Sequence, residues 1–198
     1  MLKINQQLIE NASSTYVKKC TTIAHHGVAV LDSRDPGSKR LLGGFLTIPR
    51  MKGWFDVAIH GSEQNDPFSF FSIHSPGPDN TKARFRVSAE QLAKTIRNSG
   101  WRSMMAIRLY ACHGACRDEH GVPLAKKLAI LLNTEVMASN KYNTNWSQGF
   151  IALPPSQETG PTRYTVFHPS DKLNERKLRL VKSTDDIAKG TPDKRYHW

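Results

Sequence analysis

Cysteine is scarce and odd in number: Cys20, Cys112 and Cys116 are the three in a chain of 198 residues. That excludes a disulfide framework and points to free thiols in a reducing compartment. Long apolar runs are missing too. None approaches the roughly 20 residues of a transmembrane helix, so no membrane insertion is expected. Residues 1–7 carry no apolar core of the kind a secretory signal needs, and no signal peptide is expected. Acidic side chains are the minority, 17 Asp and Glu against 28 Lys and Arg, for a formal net charge of +11. Such a balance favours anionic partners and says nothing about fold. Hydrophobic residues still make up 38% of the chain and charged ones 23%. That excludes a disordered or collagen-like chain and leaves enough material for one well-filled core.

Short β-like runs come first. Ile23–Leu31 contains the apolar run Val28-Ala29-Val30-Leu31 and is stopped by the turn signal Asp35-Pro36-Gly37. Leu41–Ile48 is a second apolar run, ended by Pro49. Trp54–Ile59 reads as a central, buried strand and ends at His60-Gly61-Ser62. Residues 63–84 read as a loop rich in Ser, Pro, Asn and Asp. Ser88-Ala89-Glu90-Gln91 matches a capping box. Leu92, Ala93 and Ile96 continue it at helical spacing, and Gly100 suits the helix end.

Ala106–Ala111 is another buried strand, ending at Cys112-His113-Gly114-Ala115-Cys116. A helix follows from Pro123, with Leu124, Ala125, Leu128, Ala129, Leu131 and Leu132 as its apolar positions and Asn133 as its end. Residues 135–138 are strand-like. This alternation predicts an α/β fold: a mostly parallel central sheet flanked by helices. Residues 140–168 read as short strands and turns around Trp146, Phe150 and Tyr164–Phe167. The organisation expected is a polar lead-in over 1–22, an α/β domain over 23–170 and a basic helix and tail over 171–198.

Two strands end in reactive residues, His60 and Cys112, and sites in open α/β sheets lie outside the carboxyl ends of strands. A catalytic cysteine needs a base to make its thiolate and donors for the oxyanion formed on attack at a carbonyl. A histidine on one strand end and a cysteine on the next supply that pair. Glycine after the histidine lets a backbone approach closely. Asp56 and Glu63 are candidates to orient His60. Cys112, His113 and Cys116 have the residue types of half a zinc site, but no second tight pair completes it, so no metal and no cofactor is assigned. His25-His26-Gly27 precedes an apolar run rather than ending one and reads as a loop.

Val57-Ala58-Ile59-His60-Gly61 followed by Ile107-Arg108-Leu109-Tyr110-Ala111-Cys112 resembles the caspase-like cysteine peptidases. The stretches Ala106–Ala138 and Trp146–Pro169 resemble the C-terminal domains of bacterial polymorphic toxins, the Rhs type among them. The resemblance covers residues 50–170. It implies a caspase-like sandwich with Cys112 as nucleophile, His60 as general acid and base, and the backbone N–H groups of Gly61 and Cys112 as the oxyanion hole. It further implies a thiol protease of a toxin or effector, delivered by a secretion system and acting in the cytoplasm of a target cell. The substrate would be a polypeptide, either a host protein or its own parent chain. Toxin domains of this kind are switched on by inositol phosphates at basic sites, so an anionic activator or partner at the basic surface is a further expectation. Caspases follow their cysteine with Arg-Gly; here it is His113-Gly114.

The alternatives are another acyl transfer on the same dyad, a deamidase or transamidase, and a non-catalytic basic binding domain. A nuclease needs a carboxylate cluster for Mg²⁺ or a His-rich metal motif, and the sequence has neither, so nucleic acid is not the expected partner. Lys172, Arg176, Lys177, Arg179 and Lys182 make the tail basic, with acidic residues between them, as on a solvated helix face.

Overall fold

A computed structural model of the chain describes residues 9–61, 69–74, 82–116, 122–139, 164–170 and 179–180. In chain order the elements are β1 (Ile9–Asn11), α1 (Ser14–Lys19), β2 (Thr21–Ala24), β3 (Gly27–Val30), α2 (Pro36–Leu46), β4 (Trp54–Ile59), β5 (Ser69–His74), β6 (Lys82–Arg86) and α3 (Ala89–Arg97). Then come β7 (Ala106–Tyr110), α4 (Leu124–Leu132), β8 (Val136–Ser139), β9 (Tyr164–Phe167) and β10 (Arg179–Leu180).

The main sheet has the order β2-β3-β4-β7-β8-β9-β10. Its centre, β3 to β8, is parallel, and β2, β9 and β10 are antiparallel to their neighbours. The central strands are buried along their length, as expected of parallel strands covered on both faces. Alternation divides their side chains. Val28, Val30, Val57, Ile59, Ile107, Leu109 and Val136 pack with Leu92 and Ile96 of α3 and Leu128 of α4. Ala29, Ala58, Tyr110 and Met137 face the other way, onto Phe45 of α2. The chain is therefore an α/β protein with helices on both faces of a mostly parallel sheet.

The helix starts follow from local chemistry. Ser88 caps α3 through a complete capping box with Gln91, as expected. Asn133 ends α4 in the left-handed conformation that asparagine tolerates (φ 49°). The run Leu41–Ile48 is not a strand; it lies largely in helix α2. Asp35-Pro36-Gly37 is not a free turn but the start of that helix. Asp35 is the N-cap, its side chain accepting from the Ser38 N–H, and Pro36 stands where a missing N–H is harmless.

Residues 63–84 are not wholly loop: β5 and β6 form an antiparallel pair there, with β1 parallel to β6, in a separate three-stranded sheet. The β-forming Phe70, Phe71 and Ile73 outweigh the polar flanks. In the expected lead-in, residues 9–20 build β1 and α1, and Ala12, Val17 and Cys20 are buried in the core. Of the expected helix and tail, the described part, Arg179–Leu180, is a strand beside β9. Glu63, Trp146, Phe150, His120, Lys172, Arg176, Lys177 and Lys182 lie outside the described residues.

Candidate active site

β4 and β7 are adjacent and parallel, with Trp54 opposite Ala106 and Ala58 opposite Tyr110. Carrying this register two residues past its last pair sets His60 opposite Cys112, at the carboxyl ends of neighbouring strands. Alternation gives both positions the face of Ala58 and Tyr110, the one covered by α2. The two chains run very close there. A Cβ on Gly61 would lie 1.6 Å from the carbonyl oxygen of Cys112, so only glycine fits. The segments carrying the two expected oxyanion donors, Gly61 and Cys112, are thus in direct backbone contact.

His60 and Cys112 are both half-buried. His60 Nε2 is 2.7 Å from the Ser38 hydroxyl. Ser38, fully buried on the first turn of α2, in turn donates to Asp35 Oδ2 at 2.9 Å. The same oxygen accepts the Ser38 backbone N–H at 2.8 Å. Asp35 and Ser38 were absent from the sequence-based candidates. The signal that could have found them is Asp-Pro-x-Ser read as a helix start rather than as a turn.

Asp56, a sequence-based candidate to orient His60, does something else. Its two carboxylate oxygens accept from Arg108 Nε and Nη2 at 2.6 and 2.7 Å. Arg108 is its register partner on β7, which explains the pairing.

Beyond Cys112 the chain turns tightly. His113 is buried in the left-handed region (φ 56°), and Cys116 N–H closes onto the His113 carbonyl at 2.8 Å. Ala115 N–H bonds Ser139 O at 2.9 Å and Ala125 N–H bonds Gly114 O at 3.1 Å, which ties this turn to the end of β8 and the start of α4. Cys116 Sγ lies 3.7 Å from His113 Nδ1. Among the described residues no three His, Cys, Asp or Glu side chains gather as a metal site would require. His25 and His26 form the turn between β2 and β3, the loop the sequence suggested. A cavity of about 290 Å³ lined by Lys52, Trp54, Ala106, Thr134, Glu135 and His168 lies at the opposite ends of the central strands.

The geometry defines a class first: an α/β protein with a histidine and a cysteine on adjoining carboxyl ends of its parallel strands. Residues 6–153 match a family model described as a domain of unknown function (DUF8616), and the chain belongs to that family. No curated protein and no solved structure is significantly similar to it.

Proposed function

We propose that this chain is a caspase-like cysteine peptidase, with Cys112 as nucleophile and His60 as its general base and acid. The observation that carries the reading is the β4–β7 register, which sets these two residues opposite each other where α/β proteins build their sites. The close approach of Gly61 to Cys112 supports it, because it brings together the two backbone segments that carry the expected oxyanion donors. In the mechanism, the Cys112 thiol gives its proton to His60 and the thiolate attacks a peptide carbonyl carbon. The C–N bond then breaks as the protonated His60 returns the proton to the leaving amine. Water, activated by the same histidine, cleaves the thioester and frees the acid. The setting proposed is a toxin or effector domain acting on a polypeptide in a target cell.

The test is a proteome digest with the wild-type protein and with Cys112→Ala, read by mass spectrometry of new peptide N-termini. The reading expects termini that depend on both Cys112 and His60. Glutamine converted to glutamate without new termini would assign the dyad to deamidation instead. Neither product, with Cys112 no more reactive towards iodoacetamide than a free thiol, would leave a binding domain.

A further inference from the structure

We propose that Asp35 and Ser38 position the imidazole of His60, fixing the neutral ring as the Nε2–H tautomer and leaving Nδ1 as its basic atom. A hydroxyl has one proton to give, and an ionised carboxylate only accepts. Ser38 lies between two partners, Asp35 Oδ2 at 2.9 Å and His60 Nε2 at 2.7 Å. Its proton goes to the carboxylate. Its oxygen must therefore accept from Nε2, and Nε2 must carry hydrogen. Ser38 is 0% and Asp35 4% exposed, so bulk water does not compete for the bond between them.

The frame is rigid for a reason outside the site. Asp35 is held as the N-cap of α2, Pro36 fixes the helix start, and Phe45 anchors the same helix on the sheet. A helix start thus reaches the end of β4 and holds the ring. When Nδ1 takes a proton, the imidazolium charge is met through Nε2–H and the Ser38 hydroxyl by the Asp35 carboxylate, which favours the charged form. The tautomer is argued from the Ser38 bonds to Asp35 and His60. Its use, acceptance of the Cys112 proton at Nδ1, rests on the peptidase reading.

The experiment is ¹⁵N NMR of the histidine-labelled full chain, with His60 assigned by its loss in His60→Gln, alongside the pH profile of Cys112 alkylation by iodoacetamide. Wild type is expected to show a protonated Nε2 and an unprotonated Nδ1 at neutral pH. Ser38→Ala should mix the tautomers and slow alkylation at pH 7 about tenfold, the equivalent of one unit of pKa. Ser38→Thr, which keeps the hydroxyl, should restore both readouts. Asp35→Asn keeps a good cap but loses the charge, and should shift the alkylation profile without unfolding α2. An Nδ1–H tautomer in wild type overturns the inference, as does a Ser38→Ala protein with unchanged ¹⁵N shifts and profile. An alkylation profile that His60→Gln leaves unmoved removes the peptidase reading, while the Nε2–H signal and its loss in Ser38→Ala would still support the tautomer assignment.

Discussion

Asp56 and Arg108 stand opposite each other in the β4–β7 register and form a two-bond ion pair, with side chains 1% and 2% exposed. The pair lies on the same face as His60, but both oxygens of Asp56 are engaged by Arg108, and the histidine is met instead by Ser38, which the Asp35 carboxylate holds. Both charges are out of water, and each is tolerable only because the other is there.

Removing one partner should therefore cost far more than removing both. Arg108→Met and Asp56→Leu are each expected to lower stability by about 3–5 kcal/mol, as a buried charge is left unpaired. The double replacement should recover a large part of that loss. Urea denaturation of the four proteins checks it; additive losses would show that the pair is not coupled.

Thiol reactivity should separate the three cysteines. Cys20 is buried at the end of α1, and burial, helped by the negative charge of Asp32, pushes its thiol up to about 11. At pH 7 only about one Cys20 in ten thousand is then thiolate. Brief treatment of the folded protein with iodoacetamide, followed by peptide mapping, should modify Cys112 first and Cys20 last. Cys112→Ala and His60→Ala should abolish the fast labelling and the proposed peptidase activity while the fold persists; Cys116→Ala and Cys20→Ala should keep most of that activity. Equal rates at Cys112 and Cys116 would count against a dyad.

Two glycines offer a matched comparison. A Cβ at Gly61 would meet the Cys112 backbone at 1.6 Å, and one at Gly27 would meet the Asp56 backbone at 1.9 Å. Each Gly→Ala change should cost on the order of 1–3 kcal/mol as strands are forced apart. Only Gly61→Ala should also collapse Cys112 labelling, because it spreads the strand ends that hold the candidate dyad. Unchanged labelling in a folded Gly61→Ala protein would mean that this close approach does not matter to Cys112 chemistry.

What could be read from the sequence was what local pattern controls. The apolar runs of β4 and β7, the Ser88 capping box and the Leu-Ala face of α4 each carry their signal within a few residues. The pairing of β4 with β7 followed from crossover logic. The rest depended on partners far along the chain. Asp56 looked like a helper for His60 because its strand partner Arg108, 52 residues away, cannot be seen in a linear reading. Leu41–Ile48 looked like a strand because its apolar content was weighed without the Asp35-Pro36 start that makes it a helix. Ser38 reaches His60 across 22 residues and only through that helix, so mistaking the helix also hid the third member of the site.

His26 should make stability depend on pH. It sits in the β2–β3 turn, 2% exposed, against the rings of His25 and Phe45. Burial pushes its imidazole below the usual range; the Asp56 carboxylate opposes this, and the charges of His25 and Arg108 add to it. The unfolded chain takes up the proton near about pH 6.5, while the folded chain holds out to lower pH. Between those two values the unfolded state binds more protons, so stability rises with pH. The contribution is complete above about pH 6.5 and is lost as the pH falls towards the folded value. Urea midpoints measured from pH 8 to pH 5 should fall for the wild type and fall less for His26→Leu, which keeps the apolar contact with Phe45 and has nothing to protonate. The difference between the two curves isolates this residue from the other histidines. Parallel curves would show that His26 is not the group being charged.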